Sequence, residues 1–205
     1  NTTNDSIWTY ALTIPDGNDG TATISISGTD NAGNALTDAN TSDRTILRVD
    51  NTNPVFTLLS PDSNSYVNHA KVGYKLSETS FSGNVTWERI GGTVDANSPH
   101  IATLTASELN AATTFADYSL TNISTTLVTG TAYSITWSAT DTAGNVSAAY
   151  ISTPIYYDTT APTAELTYSQ YFATADSVVT ITATFNERAL PKPQIAINYQ
   201  GEDRD

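Results

Sequence analysis

The stretch Thr131-Ala-Tyr-Ser-Ile-Thr-Trp-Ser-Ala-Thr-Asp-Thr-Ala-Gly-Asn145 decides the fold class. Tyr133, Ile135, Trp137 and Ala139 alternate with Ser134, Thr136, Ser138 and Thr140. Successive strand side chains point to opposite faces, so this alternation predicts a strand with one buried and one wetted face. The run from Asp141 to Asn145 predicts a tight turn. Aspartate accepts hydrogen bonds from the backbone just after it, and glycine reaches positive φ without a Cβ clash.

The pattern recurs upstream. Residues 20–34 read GTATISISGTDNAGN, with Ala22, Ile24, Ile26 and Gly28 alternating with Thr23, Ser25, Ser27 and Thr29. Asp30 and Asp141 head the two D-x-A-G-N turns and stand 111 positions apart. Each turn is followed by a linker, TILRVDNTNPVF over 45–56 and PIYYDTTAPTAEL over 154–166, whose Pro54 and Pro162 stand 108 apart. A period of about 110 residues fits one immunoglobulin-like domain. No long helical period is present; Ser107–Asn110 is expected to form at most one helical turn. The expected class is all-β, as tandem immunoglobulin-like β-sandwiches.

The period sets the domain boundaries. Residues 54–159 hold a whole unit, with strands expected at 56–59, 71–77, 84–90, 101–106, 118–121, 131–140 and 146–156. Residues 1–53 hold the C-terminal half of a unit and 160–205 the N-terminal half. Read end to beginning, 160–205 plus 1–53 make one complete domain. The phase fits a cut through a long array, head-to-tail complementation between copies, or closure of the halves within one chain. No secretory leader pattern is visible at Asn1, and the segment is expected to belong to something longer.

Composition narrows the function. Eight basic against 21 acidic residues give a formal net charge of −13, which disfavours nucleic acid and anionic membrane as partners and favours cations. No run approaches the apolar length of a membrane span, so no membrane insertion is expected. The chain has no Cys, which removes disulfides, thiolate chemistry and Cys-ligated zinc. A Cys-free, Met-free, acidic, Thr-rich β protein fits a bacterial, extracellular or cell-surface setting.

The D-x-A-G-N hairpin followed by a D-x-T-x-P linker resembles bacterial immunoglobulin-like domains, the extender repeats of large surface adhesins. The linker Asp50-Asn51-Thr52-Asn53-Pro54 also resembles the calcium-binding inter-domain linker of cadherins, with Thr52 where that pattern has a further acidic residue; Asp158-Thr159-Thr160-Ala161-Pro162 carries fewer carboxylates still. The resemblance implies a structural stalk whose partners are neighbouring immunoglobulin-like domains or copies of itself, head to tail. The prolines favour short, stiff connections.

Calcium takes six to eight oxygen ligands, largely carboxylate and carbonyl. The expected calcium groups are Asp30 with Asp50 and Asn51 at the first junction and Asp141 with Asp158 at the second. Asp16–Gly20 is a separate oxygen-rich loop that lacks the distal Glu of an EF-hand. The plain reading of each Asp is a turn cap.

Little points to catalysis: the two histidines, His69 and His100, have no marked Ser or Asp partner, and no carboxylate spacing selects a glycosidase pair. No enzyme activity is expected. Trp8, Trp87 and Trp137 are each in phase with apolar neighbours and are expected in cores, Trp87 as the strand-C tryptophan of an immunoglobulin-type sandwich. A glycan or protein ligand is the alternative reading. Lys71 or Lys75 with Asn145 is the pair to inspect for an intramolecular isopeptide bond.

Overall fold

The structure is a computed structural model that describes residues 7–37, 46–123 and 126–197. The expected join between the two half-units, 198–205 with 1–6, lies outside the described residues. Among the described residues, twelve strands occur in chain order: β1 Gly20–Thr23, β2 Ile46–Val49, β3 Phe56–Ser60, β4 Ser65–Val67, β5 Val72–Leu76, β6 Ser82–Gly92, β7 His100–Thr103, β8 Phe115–Tyr118, β9 Thr131–Thr140, β10 Tyr150–Tyr157, β11 Ala164–Tyr168 and β12 Ile181–Phe185. The class is all-β, and among the described residues no helix is long and apolar enough to cross a membrane. Compact packing divides the chain into residues 1–158 and 159–205.

Within the first unit, eight strands form a sandwich. One sheet has the order β4-β10-β9-β6-β7 and the other β3-β5-β8. The first strand is split between them: β3 pairs antiparallel with β5, then the chain crosses to lay β4 parallel to β10. Leu58 takes a positive φ of 55° where the β3–β5 register slips between Thr57 and Ser60, and this bulge turns the strand toward the other sheet. The order is that of an immunoglobulin-type sandwich whose first strand switches sheets.

The alternation of β9 becomes burial as its sequence dictates. Tyr133, Ile135 and Trp137 are fully buried, and Trp87 on β6 lies against Tyr133 edge to face at 6.0 Å. From the facing sheet come Phe56, Val72, Tyr74 and Leu76, with Phe115 stacked on Tyr74 at 4.9 Å. Several boundaries differ from expectation: β6 spans Ser82–Gly92 against 84–90, β7 spans His100–Thr103 against 101–106, and β4 is an added strand. The strand expected at 118–121 runs over Phe115–Tyr118, with Asp117 at φ 49°. The strand expected from 146 begins at Tyr150, because Val146 only bridges Thr140 to close the hairpin.

The helical turn expected at 107–110 lies earlier, over 105–109, with Leu109 N–H donating to the Thr105 carbonyl at 3.0 Å. It is capped by a buried reciprocal pair. The Thr105 N–H and hydroxyl both donate to Glu108 Oε2 at 2.8 Å, while Glu108 N–H donates back to Thr105 Oγ1 at 3.4 Å. Thr121 supplies two more donors to Oε1. Burial by itself raises the Glu108 carboxyl, but these donors outweigh it and hold the group below its usual value.

The flanking strands repeat the pairings of the sandwich. In β1–β2, Leu47 faces Ala22; in β10–β9, Ile155 faces Tyr133, at positions displaced by 108 and 111. The bridge Thr29–Ala35 corresponds to Thr140–Val146, both displaced by 111. In the 159–205 unit, Ala164 faces Phe185 as Phe56 faces Leu76, displaced by 108 and 109. The side chain of Asn186 accepts from Thr163 N–H as that of Ser77 accepts from Val55 N–H.

Burial differs. Ile24 and Ile26, the counterparts of Ile135 and Trp137, are 46% and 65% exposed. The expectation that all three tryptophans are core holds for Trp87 and Trp137 and fails for Trp8, which is 75% exposed. Its neighbours Ile7, Tyr10 and Leu12 are exposed with it, at 76%, 89% and 77%.

Candidate metal centre

One pole of the sandwich gathers carboxylates from three segments distant in sequence. Asp50 follows β2 in the linker, Glu78 lies just beyond β5, and Asp141 opens the turn after β9. One carboxylate oxygen from each lies within 4.8 Å of the other two. The linker is held there by several hydrogen bonds. Asn145 Nδ2 donates to the Asp50 carbonyl at 2.9 Å, Ser77 N–H to the Val55 carbonyl at 2.9 Å, and Asn51 N–H to Asp19 Oδ1 at 2.6 Å. The Thr52 hydroxyl donates to Asp19 Oδ2.

Asp141 is buried and does the turn's capping as its sequence predicts. Its Oδ1 accepts from the N–H groups of Gly144 and Asn145 at 2.7 and 2.8 Å, and its Oδ2 from Asn145 Nδ2 at 2.7 Å. Burial pushes this carboxyl up, but the Asn145 and Gly144 donors more than offset that and hold it low. A carboxylate has about four acceptor sites, so these three bonds leave about one, on Oδ2, for a cation.

Glu78 is the uncompensated member. Burial, then the neighbouring charges of Asp50, Asp141 and Asp19, push its carboxyl above the usual range. Its Oε1 is shut off from solvent and has no hydrogen-bond partner. A carboxylate with one orphaned oxygen, set beside two further carboxylates, fits a hard divalent cation. The set offers oxygen alone, which suits calcium better than zinc. Asp50, Glu78 and Asp141 would hold the ion, and the ion would supply the positive charge that the pole lacks.

The structure rearranges the expected pairings. Asp141 meets Asp50, not Asp158. Asp158 lies at the other pole, its N–H on the Val67 carbonyl and its Oδ1 accepting from the Thr129 hydroxyl at 3.1 Å. The reason is strand direction: β9 begins opposite the end of β10 and finishes a strand length away at Asp141. Asp30 stays in its own turn, accepting from Ala32, Asn34 and the Asn34 side chain, all at 2.8 Å, and is not one of the clustered carboxylates. Asn51 donates its backbone N–H to Asp19 Oδ1. Sequence reading missed Glu78 and the tie from Asp19. The one available signal was Glu78 at the end of a strand that recurs, with Glu187, 109 positions on.

The remaining candidates are placed as follows. His100 is fully buried, its Nε2 2.5 Å from Asp95 Oδ2, which also accepts from the Tyr133 hydroxyl at 2.5 Å. Burial raises the Asp95 carboxyl, but Tyr133 and then His100 hold it below the usual range. The isopeptide pair is not assembled: Lys71 Nζ lies 2.9 Å from Asp117 Oδ2, Asn145 is committed to Asp141 and Asp50, and Lys75 faces solvent on β5. Comparison with family models, with curated proteins and with solved structures finds no match to this chain.

Proposed function

We propose that the chain is a structural segment of a bacterial surface adhesin or extracellular fibre, built of tandem immunoglobulin-like modules and stiffened by calcium at the module junction. One observation carries the reading: the linker aspartate Asp50 is gripped against Asp141 and Glu78 of the sandwich that follows it. A cation there would tie the linker to the pole of the next module and hold the joint straight. The repeated registers of the flanking hairpins support the tandem arrangement. Mechanical spacing needs no reactive group, only folded units that resist bending at their joints.

The test is thermal melting with calcium and with EDTA, alongside limited proteolysis across residues 48–53. Calcium should raise the melting temperature and protect the linker; no shift in either would sink the calcium brace. A second reading, as a glycan- or protein-binding module, draws on Tyr66. It is 77% exposed and stacked on Tyr156 at 4.7 Å, so one flat ring face meets solvent. Binding to a glycan array that disappears in Tyr66→Ala would favour it.

A further inference from the structure

Resting on the calcium reading above, we propose that Asp19 is a positioning residue for that site: acting through Thr52, it sets the Asp50 carboxylate for the ion and couples ion binding to the β1–β2 ribbon. The contacts form a continuous path. Gly20 pairs with Val49, so the antiparallel ribbon brings Asp19 beside the start of the linker. Asp19 then takes two donors from the linker, the Asn51 N–H on Oδ1 at 2.6 Å and the Thr52 hydroxyl on Oδ2. The Thr52 N–H in turn donates to Asp50 Oδ1 at 3.1 Å. Thr52 therefore holds the Asp50 carboxylate with its backbone and Asp19 with its side chain.

The sandwich grips the same aspartate from the other side. Asn145 Nδ2 donates to the Asp50 carbonyl at 2.9 Å and to Asp141 Oδ2 at 2.7 Å. That grip reaches the Asp50 backbone, whereas the path from Asp19 reaches its carboxylate. Without Asp19 the ion would have to order the Thr52 segment and that carboxylate itself, at a cost in conformational entropy. Asp19 is not one of the three carboxylates that converge, and each of its oxygens already takes a linker donor. Its part is to orient a ligand, and partners of that kind are worth about 10–100-fold in metal affinity.

The second linker is built differently. Aligned on the D-x-A-G-N turns, 111 positions apart, Asp19 corresponds to Gly130, which has no side chain with which to hold a linker. There the linker aspartate, Asp158, is itself the acceptor, taking the Thr129 hydroxyl at 3.1 Å. The device thus belongs to the junction that carries the carboxylate cluster.

Calorimetric titration of the 205-residue chain with calcium tests this, using variants at both ends of the path. Asp19→Ala should weaken calcium binding about tenfold or more. Thr52→Val keeps every carboxylate, removes only the hydroxyl link, and should weaken binding in the same direction. The double variant should bind no more weakly than Asp19→Ala, because both changes cut the same contact. Melting in EDTA, followed by buried Trp87 and Trp137, should match the unmodified chain, since Asp19 and Thr52 are exposed. Asp19→Ala binding as tightly as the unmodified chain would overturn the proposal. So would unimpaired binding by Thr52→Val beside weak binding by Asp19→Ala, which would reduce Asp19 to a bare charge. Melting in EDTA that falls in step with calcium affinity would do the same, making Asp19 a residue of the fold alone. An unmodified chain that takes up no calcium overturns the ion reading and this coupling together, whereas failure of the coupling alone leaves unmodified binding intact.

Discussion

The hairpin around Gly33 and the hairpin around Gly144 are built alike and sit in different surroundings. Each has an aspartate accepting from the turn backbone, an asparagine bonded to that aspartate, and a glycine at positive φ, 87° and 99° respectively. The apolar side chains before the first, Ile24 and Ile26, are exposed, and those before the second, Ile135 and Trp137, are fully buried. Local pairing therefore follows from local sequence, while burial depends on a second layer supplied by residues far along the chain. Two-stranded hairpins are marginal alone, and the packed layer is what makes the central one stable.

The largest expected effect comes from cutting the same position in both settings. Trp137→Ala removes a fully buried ring and should cost the central sandwich about 3–5 kcal/mol in a denaturant titration. Its counterpart Ile26→Ala, at a 65% exposed site, should leave that transition within roughly 0.5 kcal/mol. Equal effects would break the comparison.

Next is the buried polar network that the flanks lack among the described residues. Asp95→Ala strips His100 and Tyr133 of their shared acceptor and should cost roughly 3 kcal/mol. Asp95 and Glu108 are both held below their usual values, so the folded state binds their protons less readily than the unfolded one. Their stabilisation is complete above the ordinary carboxylate range, near pH 4, and is lost as the pH falls through the lower folded values. Acid titration followed by Trp87 and Trp137 fluorescence should show the central sandwich unfolding on the acid side, later in Asp95→Asn relative to its own neutral-pH stability.

Calcium should act on the Asp141 turn and not on the Asp30 turn. At a hundred times its dissociation constant, a cation adds about 2.7 kcal/mol to a single site. Asp141→Asn should abolish the shift and Asp30→Asn should leave it in place. Glu78 runs opposite to Asp95. Its carboxyl is raised, so without the ion its contribution favours the folded state at low pH and is lost as the pH rises through its folded pKa. Glu78→Gln should accordingly stabilise the metal-free protein near neutrality while weakening its response to calcium. A Glu78→Gln variant that melts lower in EDTA would show that the carboxylates do not repel.

The smallest effect is at the turn glycines. Gly144→Ala must hold a side chain at positive φ and should cost about 1 kcal/mol of central stability. Gly33→Ala bears the same strain but should not move the central transition, since its hairpin is not part of that core.

Sequence by itself determined the strands that alternate cleanly, the two D-x-A-G-N turns, the repeat and the paired linkers, because each depends on residues a few positions apart. It placed Trp87 and Trp137 correctly for that reason, and misplaced Trp8, which is exposed together with Ile7, Tyr10 and Leu12 because burial depends on a second layer that local sequence does not encode. Only the tertiary structure decided which aspartates meet. Asp50 and Asp141 are 91 positions apart and Glu78 lies between them, yet strand direction brings all three to one pole and sends Asp158 to the other. Spacing along the chain does not encode which end of a strand faces which linker; antiparallel pairing across the two sheets does.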